Sequence, residues 1–273
     1  MMHKFSISPK QVFSTLKQYR SLIKTSVERD IIARYRGSTL GIFWSLINPL
    51  ALLFIYTFVF AEILQLKWAN SGNSKAEFGL ILFLGLIIYN FFAETIINAQ
   101  RSIISNKNFV KKVIYPIEIL PLVNVLSGLF HLIVNMLVWA FAHSIILGFT
   151  AKTTILLPLV LLPFFFITLG LSWAISALAV YLRDLSQFIG LLVTAMLFMS
   201  PVFYSIDAFP EKFKLLLFMN PITFAVEQSR NLLMWGVAPD LDALMLYWVI
   251  SLGILWLGYV VFQKTRIGFA DVL

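Results

Sequence analysis

From Ile119 to Ala151 the chain reads ILPLVNVLSGLFHLIVNMLVWAFAHSIILGFTA, 33 residues without one Asp, Glu, Lys or Arg. About 20 largely apolar residues in a helix cross the roughly 30 Å hydrocarbon layer of a bilayer. This stretch is therefore a membrane span. Working outward, Thr153–Leu182 holds 30 uncharged residues, Leu185–Ile206 holds 22 and Ala243–Gln263 holds 21. Upstream lie Gly37–Ala61, with 25, and Phe78–Ala93, with 16, the latter prolonged past Glu94 by Thr95–Gln100. The reading is an all-α, polytopic membrane protein with six spans, at about 41–63, 78–100, 119–148, 154–181, 185–205 and 243–263.

Composition agrees. Of the 273 residues 60% are hydrophobic and 12% charged, whereas soluble domains carry about 25% charged residues. Soluble enzymes and disordered chains are excluded, and a β-barrel, with alternating strands, would have modest hydropathy rather than a mean of +0.88. There is no cysteine, hence no disulfide, thiol nucleophile or cysteine metal site. The net charge of +8 points to nucleic acid or to a membrane surface, and its distribution decides between them. With six spans both termini share one side, and 15 of the 21 basic residues then fall on that side. Cytoplasmic loops carry the excess of Lys and Arg, so both termini are expected in the cytoplasm and nucleic acid is not a partner. The first 36 residues are polar and basic, without the apolar core of a cleavable signal peptide.

Three segments lie outside the spans. Over residues 10–36, Val12, Leu16, Tyr19, Ile23, Val27 and Ile31 recur at helical spacing, which predicts an amphipathic helix in the cytoplasmic headgroup plane. Such a helix is an anchor, or an anchor that also docks a cytoplasmic partner. Residues 101–118, RSIISNKNFVKKVIYPIE, combine four basic residues, an apolar pattern that includes Val113 and Ile114, and Pro116. They read as a short helix across the cytoplasmic face or as a basic loop that only sets topology. Residues 207–235 would lie outside. Leu215–Val226 is uncharged for only 12 residues and is interrupted at Asn220–Pro221, which suggests two short helices in a re-entrant hairpin gating a conduit. A plain surface loop is the simpler alternative.

Catalytic chemistry is sparse. No glycine is followed by lysine, so the chain has no P-loop to cradle nucleotide phosphates. His131 and His143 stand twelve residues apart on different helix faces, and no metal motif includes them. Glu94 near the inner end of the second span, Glu118 at the start of the third and the Arg183–Asp184 turn are the charges nearest the membrane, and none lies at mid-span. Ion-coupled carriers usually place ionisable groups along their pathway, so energy must come from elsewhere or the protein is a passive pore. Aromatics supply 26 Phe, 9 Tyr and 7 Trp. Most fit lipid-facing or core positions, but Phe54, Tyr56, Phe58, Phe60, Phe198, Phe203 and Tyr204 are candidates to line a conduit where rings stack on sugars. Gly37 and Gly41 form a G-x-x-x-G that either packs helices closely or marks the turn into the first span.

The run Arg29 to Leu50, RDIIARYRGSTLGIFWSLINPL, resembles the signature R-D-x-x-x-R-Y-[RK]-x-[ST]-x-L-G-x-x-W-x-x-[LI]-x-P of type-2 ABC transporter permeases that export lipid-linked O-antigen, capsular polysaccharide or teichoic acid. Ser200-Pro201-Val202-Phe203-Tyr204, with Asn220-Pro221-Ile222, is similar to the outer hairpin of those proteins, and Tyr181–Leu185 to their short inner turn. The resemblance implies one permease domain over 1–273 in a bacterial plasma or inner membrane. It implies a homodimer, each copy docked to a separate cytoplasmic ATPase subunit that binds ATP and Mg, with no cofactor or metal on this chain. Arg29, Arg34, Tyr35 and Arg36 would meet the lipid-phosphate headgroup at the entrance. Asp30, Lys107, Phe109, Lys111, Lys112, Tyr115 and Glu118 would couple to the ATPase, and Asn220, Pro221, Glu227 and Arg230 would form the outer gate. Two other classes fit less fully: an ABC permease for a small lipid or drug, and a stand-alone channel or secondary carrier.

Overall fold

A computed structural model describes residues 9–63, 68, 74–112, 115–148, 152–182 and 184–273. Val113, Ile114 and Arg183 lie outside the described residues, as do the side chains of Val12, Lys111 and Lys112. Every regular element among the described residues is helical. The N-terminal segment forms α1 (Pro9–Gln18) and α2 (Arg20–Tyr35), separated at Tyr19, whose ψ of 20° breaks the single helix that the periodicity suggests. α2 ends where Arg36 turns extended and Gly37 takes φ +85°. A 3₁₀ turn, Gly41–Phe43, then leads into α3 (Trp44–Tyr56), which contains Pro49 and runs on as a π-helical segment, Thr57–Ile63. Gly41 has φ +52°, and a Cβ at either glycine would meet nothing within 4 Å. The pair therefore serves the turn into the first span, since left-handed backbone suits glycine, and packs no helix closely.

α4 (Lys75–Ser102) is the hub of the bundle: 78% of its most apolar stretch is buried, against 6% in the first span. It packs on α6 (Ile119–Ile146), α7 (Leu157–Tyr181), α3 and α8 (Leu185–Phe198). The short α5 (Lys107–Lys112) follows α4 and touches the C-terminal end of the chain. α7 packs most extensively on α11 (Leu241–Thr265), because glycines face each other there. A Cβ at Gly258 would stand 1.9 Å from the Gly170 carbonyl oxygen, and one at Gly170 would stand 2.5 Å from that of Ile254. Without a hydrophobic drive between helices in lipid, such small-residue approach lets dispersion forces hold the pair. Tyr181 OH donates to the Thr265 carbonyl at 2.6 Å and fixes the other end of the pair.

Among the described residues five helical stretches are long and apolar enough to cross a membrane: Gly41–Phe60, Lys75–Ser102, Ile119–Ile146, Lys152–Tyr181 and Leu241–Val272. The uncharged run 185–206 folds differently. α8 holds 14 residues, about 21 Å at 1.5 Å per residue, and the chain then turns through Met199–Ser205. Next come two 3₁₀ turns, α9 (Lys214–Met219), α10 (Pro221–Arg230) and a π-helical end, Asn231–Trp235, closed by Gly236 at φ +66°. The break at Asn220–Pro221 is real: Asn220 Oδ1 accepts from Ile222 N at 3.0 Å as the cap of α10, with Pro221 at its first position. The last helix, α12 (Phe269–Val272), packs against α5 and α7.

Candidate functional site

Polar side chains at helical spacing interrupt two apolar helices. On α4, Asn90, Glu94 and Asn98 recur every fourth residue, so they share one face. On α6, Asn124, His131 and Asn135 are seven and four apart and share another. The end of α2 and the start of α3 lie over these faces, and two cavities open between them.

The first, of about 500 Å³, is lined along its polar side by Arg34, Asn48, Asn90, Glu94, His131 and Asn135. Trp44 and Tyr35 add aromatic surface, and Leu52, Phe83 and Ile87 close its deeper end. The second, of about 420 Å³, lies toward the Arg101 end of α4 and carries Arg29, Asp30, Arg34, Asn98, Arg101 and Tyr115. Arg34 borders both, and its guanidinium donates to Glu94 Oε1 in a direct ion pair. Tyr35 OH stands 3.3 Å from His131 Nδ1, with the rings edge-on at 5.9 Å. Burial works against the Arg34 charge, yet the hydrogen bond and charge of Glu94 outweigh it and hold the group above its ordinary range. Burial likewise pushes the Tyr35 phenol up, against the pull of Arg34. The buried Nε2 of His131 has no hydrogen-bond partner.

Of the expected headgroup residues, Arg29, Arg34 and Tyr35 line these cavities, whereas the exposed Arg36 borders neither. Trp44, Asn48, Asn90, Glu94, His131 and Asn135 also line the first cavity, and the sequence reading assigned none of them to a binding site. The signal was present as polar residues four apart on an apolar helix.

The aromatic set divides. Tyr56–Phe60 (6.3 Å), Phe60–Phe203 (5.4 Å, stacked) and Phe203–Phe198 (6.2 Å) form one file of rings joining the first span to the end of α8. Phe54 and Phe58 stack on each other at 6.4 Å on an exposed face, and Tyr204 stacks on Phe209.

Among the expected coupling residues, Phe109 stacks on Tyr115 at 4.7 Å, while Asp30 and Tyr115 line the second cavity. Lys107 is exposed at the start of α5. Glu118 joins Arg266 at 2.9 Å, and its carbonyl accepts from Trp173 Nε1 at 2.9 Å, tying α6 to α7 and to the end of α11.

In the 207–235 segment, Asn220 Nδ2 donates to the Met196 and Met199 carbonyls at 3.1 Å each, so Asn220 binds the segment to the end of α8. Arg230 is wholly buried. It donates to the carbonyls of Ile81 (3.1 Å), Val202 (2.9 Å) and Pro201, pairs with Glu227 at 3.1 Å and covers the Trp68 ring at 4.5 Å. Gly85 makes room for it, since a Cβ there would stand 2.5 Å from its guanidinium. Among the described residues no cluster of three His, Asp or Glu suits a metal ion.

Several long apolar helices around polar cavities define a multi-pass helical membrane protein. The family described as ABC-2 type transporter matches residues 21–234, and the chain belongs to that family. It is 28% identical over 254 residues to an O-antigen export system permease protein RfbA of Klebsiella pneumoniae, a match covering 92% of this chain and 95% of that protein. A protein of the same name from Myxococcus xanthus is 27% identical over 261 residues, covering 94% and 96%.

Proposed function

We propose that this chain is the membrane-spanning subunit of an ATP-driven exporter that moves lipid-linked, O-antigen-like polysaccharide from the cytoplasmic to the outer side of a bacterial inner membrane. What carries the reading is the near end-to-end similarity to two permeases named for O-antigen export. The cavity chemistry supports it: arginines suit phosphate through charge-assisted, bidentate bonds, and amides beside an indole suit a sugar.

The working unit is a homodimer with two copies of a separate cytoplasmic ABC ATPase that binds ATP and Mg. Both termini lie in the cytoplasm, as the basic residues of α1, α2 and the 101–118 segment favour. The lipid headgroup engages Arg29 and Arg34 at the inner side. Lys107, Lys111, Lys112 and the Phe109–Tyr115 stack belong to the surface that receives the ATPase's motion. Glu118, locked to Arg266, passes that motion to α6 and α11. The polymer leaves along the Tyr56–Phe60–Phe203–Phe198 file, beneath the hairpin held by Asn220 and Arg230.

Co-expression with the ATPase encoded beside it tests the reading. A stable complex whose ATP hydrolysis rises several-fold with lipid-linked glycan is expected. Failure to bind any ATPase, with uptake or efflux intact without ATP, contradicts it in favour of a stand-alone carrier.

A further inference from the structure

The two cavities differ in charge in the order of a phosphosugar. The one nearer the Arg101 end of α4 carries Arg29, Arg34 and Arg101 against Asp30, a surplus of positive charge. The deeper one balances Arg34 with Glu94, and amides, Trp44, Tyr35 and His131 line it beside the apolar end formed by Leu52, Phe83 and Ile87. The Arg34–Glu94 pair stands at the boundary, because Arg34 borders both spaces and Glu94 borders the deeper one. Its side chains are 37% and 32% exposed, so either charge, once released, stays hydrated rather than naked in hydrocarbon.

Resting on the export reading, we propose that the Arg34–Glu94 pair is a latch that the substrate opens. The phosphate of the lipid-linked glycan takes Arg34 from Glu94, and the adjoining sugar then occupies the amide-lined cavity within each protomer. Arg34 gives Glu94 one bond, to Oε1, whereas a phosphate offers the guanidinium two oxygens in fork geometry, so one acceptor exchanges for another without loss of a hydrogen bond. Asn48, Asn90 and Asn135 each offer a donor pair and an acceptor, which matches hydroxyls that both give and take hydrogen bonds. The cavity lies within the size range of small-ligand sites. It takes one ring beside the phosphate, while the rest of the polymer runs elsewhere.

The exchange makes a sign prediction that an ordinary structural salt bridge does not. Removing the Glu94 charge frees Arg34 and should tighten phosphate binding. The full chain in phosphatidylcholine nanodiscs is titrated with a polyprenyl phosphate carrying one hexose, and with the same lipid lacking the sugar. Glu94→Gln should bind both lipids about tenfold tighter than the unsubstituted chain. Arg34→Glu combined with Glu94→Arg should keep the unfolding temperature yet bind both about tenfold more weakly, because the cation no longer faces the arginine-lined space. Asn135→Leu should erase only the advantage of the sugar-bearing lipid. Glu94→Gln binding no tighter, or the exchanged pair binding as the unsubstituted chain does, overturns the latch while leaving export standing. If the unsubstituted chain binds neither lipid, the export reading falls and the latch with it. Phosphatidylglycerol added to the discs should not compete; if it displaces the lipid-linked sugar, the site is one for bulk anionic lipid and the proposal fails.

Discussion

Arg230 shows how a single side chain holds the 207–235 segment in place. Its guanidinium reaches carbonyls on α4 and on the Pro201–Val202 turn, and it offsets the Glu227 charge. Breaking a buried pair on one side leaves the other charge uncompensated, at a cost of about 3–5 kcal/mol. Arg230→Ala should therefore lower the unfolding midpoint in detergent by many degrees, and Arg230→Lys should recover only part of it, since an ammonium lacks the fork. From sequence it counted toward topology and, through the family resemblance, toward an outer gate, not as the buried anchor of the segment. Nothing local in the sequence reveals that four separate segments close around it. Arg34 was legible, by contrast, through its R-Y-R context, but its partner Glu94 was set aside as a charge at a span end.

At the level of elements, the charge-free runs locate the long helices because lipid tolerates few unpaired charges over a span. They fail at α8 because the count of uncharged residues is blind to where a helix stops. The chain leaves the helix at Met199, ahead of Pro201, while its residues stay uncharged as far as Ile206. The turn at Asn220–Pro221 was legible, since proline restricts the residue before it and Asn caps helices. Asn220→Ala should cost about 1–2 kcal/mol and free the hairpin from α8. Limited proteolysis should then cut within 205–220 faster than in the unsubstituted chain. The α7–α11 crossing gives a second test. Gly258→Val places a branched side chain against the Gly170 backbone, and overpacking of this kind costs about 1–3 kcal/mol. A cysteine pair introduced across the crossing should cross-link less readily in that variant. The polar faces of α4 and α6 were readable in principle, from Asn and His four and seven apart, but only when each apolar helix is searched for what interrupts it.

For the whole molecule, the first span and α8 are the least covered parts of the bundle, and both carry the aromatic file. That distribution suits the proposed second copy, with a polymer path between copies. The sequence carries no P-loop, in keeping with the proposal that a partner ATPase supplies the energy. The most direct measurement is translocation in proteoliposomes that contain this chain and its ATPase, loaded with lipid-linked glycan on the ATPase-facing leaflet. Glycan reaching an impermeant lectin on the opposite side should require ATP hydrolysis and should stop when the ATPase is left out. Translocation that proceeds at the same rate without the ATPase would contradict the account.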